Sequence, residues 1–386
     1  MKEEDEVVKR IKKWLKGKTA PPYMLEIWPT FECNLNCVYC WRRVHDLRKI
    51  KQRVSEERYL EILNEASNIG IRRVEVVGGG EPMKFPRIIE IIKRIKLSEM
   101  IGTMTTNGTL FNEKSVRTMV EMKWDLIAIS LDGPNEEIHD KIRGRGAFKK
   151  VINTLRLFKY WKRRLKTHKP EIIFVPVLSK LNYEYIPQFF YIAKKFDVKV
   201  VDFKPLILYG GAFEKYKIKE NEYEDIRKII LKSLRIARKY KIDTNLSEYL
   251  NDFFVMKSPE VVPVMKEKAK KNFLKIPCFM PWYFLKIYAE EGCAGPCLVP
   301  DKLHMMNINK YSLEEVWYSE KFDKLRKMMR NNIVPSFCSR CCGGSLFDNE
   351  KIRLKLSKIL KKKKQKFKKK KQKSKSKNID VELNEK

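Results

Sequence analysis

Residues 24–40, MLEIWPTFECNLNCVYC, contain the feature around which the rest of the chain is organised. An apolar, strand-like run over residues 24–28 leads into a loop with three cysteines in the spacing C-x3-C-x2-C: Cys33, Cys37 and Cys40. A cubane iron–sulfur cluster normally takes four thiolates, and the next cysteine in the chain is Cys278. Three thiolates leave one iron open, and an open metal position is where a substrate or cofactor coordinates.

The other interpretations of the triplet are a zinc knuckle and a structural cysteine cluster. Zinc needs a fourth ligand, and His45 is near enough in the sequence to be considered, although it lies in a highly charged, helix-like run. Eight of the nine cysteines fall in three tight groups, and only Cys278 stands apart. Such clustering favours metal ligation over a disulfide framework.

The composition predicts a folded chain that stays in the cytoplasm. The 386 residues are 43% hydrophobic and 11% aromatic, enough for one large domain with an appendage. The charged residues at the N-terminus predict no secretory signal. No uninterrupted apolar run approaches the ~18 residues that a membrane span needs.

Apolar runs alternate with amphipathic stretches along the first half of the chain, which is typical of an α/β fold with a parallel sheet made of βαβ units. Six predicted strands cover residues 24–28, 74–77, 101–106, a run from 126, 172–178 and 199–203. Helices are predicted around residues 1–20, 55–69, 86–95, 113–122, 147–161, 186–196 and 220–240. Barrel-type folds carry their sites at the carboxyl ends of such strands.

Polar and glycine-rich segments follow three of the predicted strands: Gly78-Gly79-Gly80-Glu81-Pro82, Thr106-Asn107-Gly108-Thr109 and Ser130-Leu131-Asp132-Gly133. Glycines allow a backbone to approach a ligand closely, and the absence of a Gly-Lys-Ser/Thr ending argues against a nucleotide P-loop. Hydroxyl, amide and carboxylate groups can bind a ribose or a carboxylate, although a plain turn is the alternative for the glycine run and for Asn-Gly. His45 and His139 lie in charged helical runs, and we expect both at the surface.

The cysteine triplet, the aromatic Tyr39 before its last member and the Gly-Gly-Glu-Pro segment together resemble the radical S-adenosylmethionine (SAM) enzymes. The resemblance implies a (β/α)6 partial TIM-type barrel and a [4Fe-4S] cluster on Cys33, Cys37 and Cys40 whose open iron is chelated by SAM. It implies reductive cleavage of SAM to a 5′-deoxyadenosyl radical, which removes a hydrogen atom from the substrate.

The same resemblance implies a set of SAM contacts. Gly79, Gly80 and Glu81 would hold the amino group, Ser130 and Asp132 would lie beside the ribose and the carboxylate, and Arg143 would lie near the carboxylate. For Arg143 the alternative is a plain solvent-exposed arginine. The full predicted set is Tyr39, Gly79, Gly80, Glu81, Asn107, Ser130, Asp132 and Arg143.

A second group of cysteines follows the pattern C-x13-G-x4-C and then C-x2-C. This resembles the C-terminal SPASM/twitch extension of radical SAM enzymes, and it implies one auxiliary [4Fe-4S] cluster with the ligands Cys278, Cys297, Cys338 and Cys341. No cysteine follows Cys342, which favours the shorter, single-cluster version. Cys293 and Cys342 are left over and either could replace a neighbour, and a four-thiolate zinc site is the alternative. A fully ligated cluster has no open iron, so we expect it to accept an electron from the substrate radical.

The predicted organisation has five parts: an N-terminal helical segment (1–22), the radical SAM core (23–205), a helical linker (206–275), the cysteine-rich auxiliary domain (276–345) and a basic disordered tail (346–386). The formal charge of +35 is unevenly placed: residues 351–377 carry +16 and the remainder carries +19. We expect the tail to be a solubilising terminus or a salt-dependent, nonspecific contact for a polyanion. We expect an oxidative modification of a peptide or small molecule, with an external electron donor. A zinc-stabilised nucleic-acid-binding protein is the alternative function.

Overall fold

The computed structural model describes residues 3–44, 52–209, 211–252, 276, 278–296, 305–333, 335, 338, 349 and 351–359. Its strands are β1 Met24–Ile27, β2 Arg73–Val76, β3 Ile101–Thr106, β4 Leu126–Ile129, β5 Glu171–Phe174, β6 Val177–Leu178, β7 Val200–Val201, β8 Lys204–Pro205, β9 Asp243–Thr244, β10 Phe284–Tyr288, β11 Cys293–Gly295 and β12 Met306–Asn307. Its α-helices are α1 Glu3–Leu15, α2 Glu56–Asn68, α3 Ile88–Leu97, α4 Glu113–Glu121, α5 Glu136–Arg143, α6 Ala147–Arg164, α7 Ile186–Lys195, α8 Tyr223–Tyr240, α9 Glu248–Asp252, α10 Leu313–Trp317 and α11 Glu320–Arg330. Residues 351–359 are also helical.

The predicted α/β architecture is confirmed. Strands β1, β2, β3, β4, β5 and β7 lie side by side in chain order and pair in parallel, as βαβ connections require. The predicted strand over residues 172–178 is interrupted, because Pro176 has no amide hydrogen for the ladder. The chain therefore leaves the main sheet after β5, and β6 pairs with β8 in a separate two-stranded sheet.

The main sheet is larger than the sequence predicts. Strand β10 pairs in parallel with β1, and β11 and β12 continue antiparallel from it. At the opposite edge β9, which falls in the predicted helical linker, pairs with β7. The sheet thus has ten strands, and the C-terminal cysteine-rich region shares it with the barrel.

The two faces of the strands have different neighbours. Leu25 and Ile27 of β1 and Val74 and Val76 of β2 are fully buried in the main apolar cluster, which also contains the inward sides of the surrounding helices. The alternate residues point to the other face, as the period of a strand requires. Burying one such side chain stabilises the fold by about 1.5–3 kcal/mol, so this alternation fixes the register.

Helix α1 is anchored by a buried cation. Arg10 donates from Nη1 to the carbonyl oxygens of Pro21 and Pro22 and from Nη2 to that of Gly70, 2.9 Å away. These bonds attach the helix to the segments before β1 and β2. No helix in the described ranges is long and apolar enough to cross a membrane.

Strand β10, although it lies in the C-terminal cysteine-rich region, should contribute to the stability of the main apolar core. Leu285→Ala on β10 removes a fully buried side chain, so we expect a loss of about 2–5 kcal/mol in the free energy of unfolding, measured by urea denaturation under anaerobic conditions. Leu354→Ala is the matched control, because Leu354 is 54% exposed. Equal, small losses for both variants would contradict the shared core.

Candidate active site

The cysteine loop, residues 29–40, lies against the turn that follows β2. Gly80 donates its amide to the carbonyl oxygen of Thr30 at 3.0 Å, and Glu81 donates to that of Glu32 at 2.7 Å. On its other side the loop contacts α5, since Val38 donates to the carbonyl oxygen of Ile142 at 2.9 Å. The loop is therefore held between the ends of β2 and α5.

The glycines after β2 are required by this packing. A Cβ atom on Gly80 would lie 1.9 Å from the carbonyl oxygen of Glu32, and one on Gly79 would lie 2.3 Å from the ring of Phe31. Real Cβ atoms do not approach other atoms this closely. The cysteine loop therefore packs directly against the backbone of this turn on the side where a Cβ atom would lie.

The three thiols of the loop differ in their burial. Cys37 is buried, and Cys33 and Cys40 are half-buried. Burial raises the pKa of the Cys37 thiol, and the charges of Cys40 and Cys33 act in the same direction. Burial also raises the pKa of the Cys40 thiol. Among the described residues, no group of three or more His, Cys, Asp or Glu side chains forms a site for a single metal ion. A set of three thiols without carboxylate or imidazole is the donor set that an iron–sulfur cluster takes.

Glu81 joins the ends of β2 and β3. Its Oε1 accepts from the Thr106 hydroxyl at 2.6 Å and from the Met83 amide at 3.1 Å, and its Oε2 accepts from the Asn107 amide at 2.7 Å. The side chain is only 2% exposed. Burial raises the pKa of this carboxyl, and the three hydrogen bonds oppose that shift.

Asp132 follows β4 and is fully buried. Like Glu81, it connects several segments of the chain. Its Oδ2 accepts from Nε of Arg143 at 2.5 Å, and its Oδ1 accepts from the Val177 amide at 2.8 Å. Its own amide donates to Nδ1 of His139, and its carbonyl oxygen accepts from the Asn182 side chain at 2.9 Å. The ion pair raises the pKa of the Arg143 guanidinium, against the effect of burial. Arg143 is thus fixed by the protein instead of pointing freely into solvent.

The prediction that His139 lies at the surface is wrong. His139 is fully buried, because α5 is amphipathic and places it with Ile138 and Ile142 on the inner side. A Cβ atom on Gly133 would lie 2.3 Å from the His139 amide, which shows how tightly α5 packs on the end of β4. Burial lowers the pKa of the imidazole to about 4, so the ring is neutral and accepts from Asp132.

Tyr39 and Ser130 lie at the same edge of the sheet. The Tyr39 hydroxyl is buried beside the side chains of Asp132 and Ser179. Burial, followed by the nearby Asp132 carboxylate, raises the pKa of this phenol well above its ordinary value. Ser130 is half-buried, and its amide donates to the carbonyl oxygen of Thr106 at 2.9 Å.

The predicted auxiliary ligands are only partly described. Cys278 and Cys338 pack against one apolar cluster, which includes residues of α1 and α11. The Asn349 side chain donates to the Cys278 sulfur at 3.4 Å. Cys293 is on β11, and its thiol donates to the Glu291 carbonyl oxygen at 3.3 Å. Cys297, Cys341 and Cys342 lie outside the described residues, as do His45 and residues 361–386 of the predicted tail.

The face of the sheet opposite the helices carries charges that the sequence analysis missed. Glu26 pairs with Lys286 at 3.2 Å, and the Trp28 indole donates to Glu26 at 2.7 Å. Glu75 stands directly across from Glu26 on β2, with Thr103 across from it on β3. Glu75 makes no hydrogen bond or ion pair with a described residue, and the buried Thr103 hydroxyl also has no partner there. The sequence did contain a signal for these charges, because Glu26 and Glu75 each lie within an apolar, strand-like run.

Two family models match the chain. The radical SAM superfamily model matches residues 28–189, and the model of the SPASM iron–sulfur cluster-binding domain matches residues 278–342. The chain belongs to the radical SAM superfamily and carries a C-terminal SPASM domain. It is therefore an enzyme that uses a [4Fe-4S] cluster and SAM, with a further iron–sulfur cluster domain, and the nucleic-acid-binding alternative is not supported.

Two relatives that align over most of their length have different described functions. The chain is 25% identical over 320 residues to an AdoMet-dependent heme synthase of Methanosarcina barkeri, covering 80% of this chain and 86% of the relative. It is 24% identical over 326 residues to a tungsten-containing aldehyde ferredoxin oxidoreductase cofactor-modifying protein of Pyrococcus furiosus, covering 81% and 85%. The crystal structure of Streptococcus suis SuiB bound to SAM superposes with a TM-score of 0.61 at 18% identity, covering 87% of this chain and 76% of that one. This structural likeness confirms the fold.

The Asp132–Arg143 pair should contribute strongly to stability. Asp132→Ala leaves the Arg143 guanidinium without its carboxylate in a buried position, so we expect a loss of about 3–5 kcal/mol in the free energy of unfolding, measured by urea denaturation. Asp202→Ala is the control: it breaks a more exposed pair with Lys204 and should cost about 0–1 kcal/mol. A similar loss in both variants would show that Asp132 has no special role.

Glu75 should make stability depend on pH. Burial, followed by the Glu26 carboxylate, raises the pKa of Glu75 to about 7; Arg73 and Lys204 oppose the shift, and Glu3 adds to it slightly. A raised carboxyl pKa means that the folded state holds the proton more tightly, so this contribution to stability is lost as pH rises toward 7.

Glu75→Gln removes that titration. Its stability relative to wild type should increase by roughly 2–3 kcal/mol between pH 5 and pH 8, measured by urea denaturation at each pH. The matched control is the exposed Glu99→Gln, which should show no such gain. A stability difference between Glu75→Gln and wild type that does not change with pH would contradict the raised pKa of Glu75.

Proposed function

We propose that Cys33, Cys37 and Cys40 hold the [4Fe-4S] cluster of the radical SAM domain and that the enzyme oxidises a peptide or small molecule seated in the barrel. The observation that supports this most directly is the contact between the cysteine loop and the turn after β2, where Gly80 and Glu81 bond to Thr30 and Glu32. When bound and reduced, the cluster cleaves SAM and supplies the 5′-deoxyadenosyl radical that removes a hydrogen atom from the substrate.

Arg143 is the proposed partner of the SAM carboxylate. Asp132 holds the guanidinium through Nε alone, and the remaining nitrogens make no hydrogen bond to a described residue. A guanidinium with free terminal nitrogens is suited to a carboxylate. In this proposal Asp132 acts through Arg143, because both of its carboxylate oxygens are already engaged.

The remaining SAM contacts come from the ends of β2 and β4 and from the cysteine loop. We assign the amino group to Gly79, Gly80 and Glu81, whose carboxylate has room for one further donor beside the three it accepts. Ser130 and Tyr39 are assigned to the same molecule. Asn107, also predicted as a SAM contact, has every polar atom of its side chain already engaged within the protein.

A substrate with hydrogen-bonding groups suits the barrel interior. Thr103 and Glu75 are neighbours across β3 and β2: the Thr103 hydroxyl is buried without a partner among the described residues, and the half-buried Glu75 makes no hydrogen bond or ion pair there. Unpaired buried polar groups cost stability unless something satisfies them. SuiB has also been crystallised with its precursor peptide SuiA, at a TM-score of 0.59 to this chain, so the fold has room for a peptide as well as a small molecule.

The auxiliary cluster is assigned to Cys278, Cys297, Cys338 and Cys341, and its proposed task is to accept the electron that the substrate radical loses. That makes the net reaction an oxidation and requires an external electron donor for the first cluster. We also propose a cytoplasmic location, because the cysteines fall into groups that are typical of metal ligands and not of the disulfides found in secreted proteins.

Reconstituted, anaerobic enzyme with dithionite and SAM should release 5′-deoxyadenosine, measured by chromatography with mass detection. Cys40→Ala removes a proposed ligand of the open cluster and should reduce release to background. Cys278→Ala should retain 5′-deoxyadenosine release and lose the iron of one cluster. Cys293→Ala is the matched control and should keep full iron and full release. Undiminished release by Cys40→Ala would overturn the proposed ligation.

A further inference from the structure

Three polar side chains form a closed ring of hydrogen bonds beside Cys33. The Asn107 amide nitrogen donates to Oδ1 of Asn34 at 3.0 Å, and the Asn34 amide nitrogen donates to the Thr109 hydroxyl at 2.9 Å. The Thr109 hydroxyl in turn donates to Oδ1 of Asn107 at 2.6 Å, closing the ring. The second hydrogen of the Asn107 amide points at the Cys33 sulfur, with a nitrogen–sulfur distance of 3.8 Å.

The ring fixes Asn107 in one orientation. Its Oδ1 also accepts from the backbone amide of Thr109 at 2.9 Å, so both acceptor positions of the oxygen are taken. The amide nitrogen must then occupy the side that faces Cys33. The backbone of Asn107 is held as well, because its amide donates to the buried carboxylate of Glu81. Asn107 is 6% exposed and Thr109 is 8% exposed, whereas Asn34 is exposed, so the bonds between Asn107 and Thr109 are the part of the ring that is shielded from water.

A donor held in this way has a defined effect on a cysteine thiolate. Reduction of an iron–sulfur cluster adds negative charge that spreads onto its sulfur ligands, and hydrogen bonds to those sulfurs are among the factors that set the reduction potential. A hydrogen bond to a charged acceptor is stronger than one between neutral groups. A fixed N–H group at Cys33 therefore favours the reduced state.

We propose that Asn107 is a positioning residue for Cys33, donating an N–H···S hydrogen bond that raises the reduction potential of the N-terminal cluster. This replaces the SAM contact expected of Asn107 from the sequence. It rests on the proposed ligation of that cluster by Cys33. Thr109 and Asn34 take part by holding the Asn107 amide in the orientation that presents nitrogen to sulfur.

The test is an EPR-monitored redox titration of the anaerobic, reconstituted full-length enzyme. The N-terminal cluster is identified as the one whose signal changes when SAM is added. Asn107→Ala should shift its midpoint potential to a more negative value, by at least the equivalent of a tenfold change in the one-electron equilibrium, about 59 mV. Thr109→Val keeps the side-chain shape and removes the closing hydroxyl, so it should give a smaller shift of the same sign.

Asn245→Ala is the matched control. Asn245 also uses both ends of its amide, accepting from the amide and donating to the carbonyl oxygen of Phe203, and its loss should leave the potential unchanged. If Asn107→Ala fails to hold a cluster, Thr109→Val decides the question. Wild-type potentials in both ring variants, with the SAM-responsive signal present, would overturn the inference. A wild-type enzyme without that signal would instead overturn the proposed ligation.

Discussion

The close contact between two backbone segments at the end of β1 and β2 is the constraint on which the site depends. The cysteine loop lies so near the turn after β2 that Gly79 and Gly80 cannot carry side chains. Two amide-to-carbonyl bonds then fix the loop at Thr30 and Glu32, immediately before Cys33. A loop with three thiols would otherwise be free to adopt many conformations, and ordering it would cost conformational entropy of about 1–2 kcal/mol per residue. The parallel sheet supplies the rigid edge that makes this ordering possible.

Buried carboxylates connect that edge to its neighbours. Glu81 and Asp132 are both surrounded by donors, and each links two or more segments that end at the same side of the sheet. A buried charge is tolerated when hydrogen bonds and a counter-charge satisfy it. Both residues were predicted from the sequence as SAM contacts, and in the structure their first role is to hold Asn107 and Arg143 in place.

The fold was largely predictable because short apolar runs are separated by amphipathic helices. Leu25, Ile27, Val74 and Val76 illustrate the pattern, and all four are fully buried. Strand β10 was missed because Phe284–Tyr288 is short and pairs with a strand some 260 positions earlier in the chain. The buried position of His139 was missed because the charged residues of α5 concealed its amphipathic side. The ring around Asn107 had no signal, since it joins residues from two separate loops.

The shared sheet has a consequence for the relation between the two iron–sulfur regions. Glu26 on β1 and Lys286 on β10 are direct neighbours in register, and the Lys286 ammonium lies 3.7 Å from the centre of the Trp28 ring. Trp28 directly precedes the cysteine loop, and its carbonyl oxygen accepts from the buried Tyr59 hydroxyl at 2.7 Å. Strand β10 of the SPASM region is therefore joined to β1 by strand pairing and a buried ion pair, and Lys286 reaches Trp28, the residue before the cysteine loop. Because a one-residue slip would turn Lys286 toward the apolar core, the geometry between β10 and the cysteine loop is set by strand register and not by the length of the connecting chain.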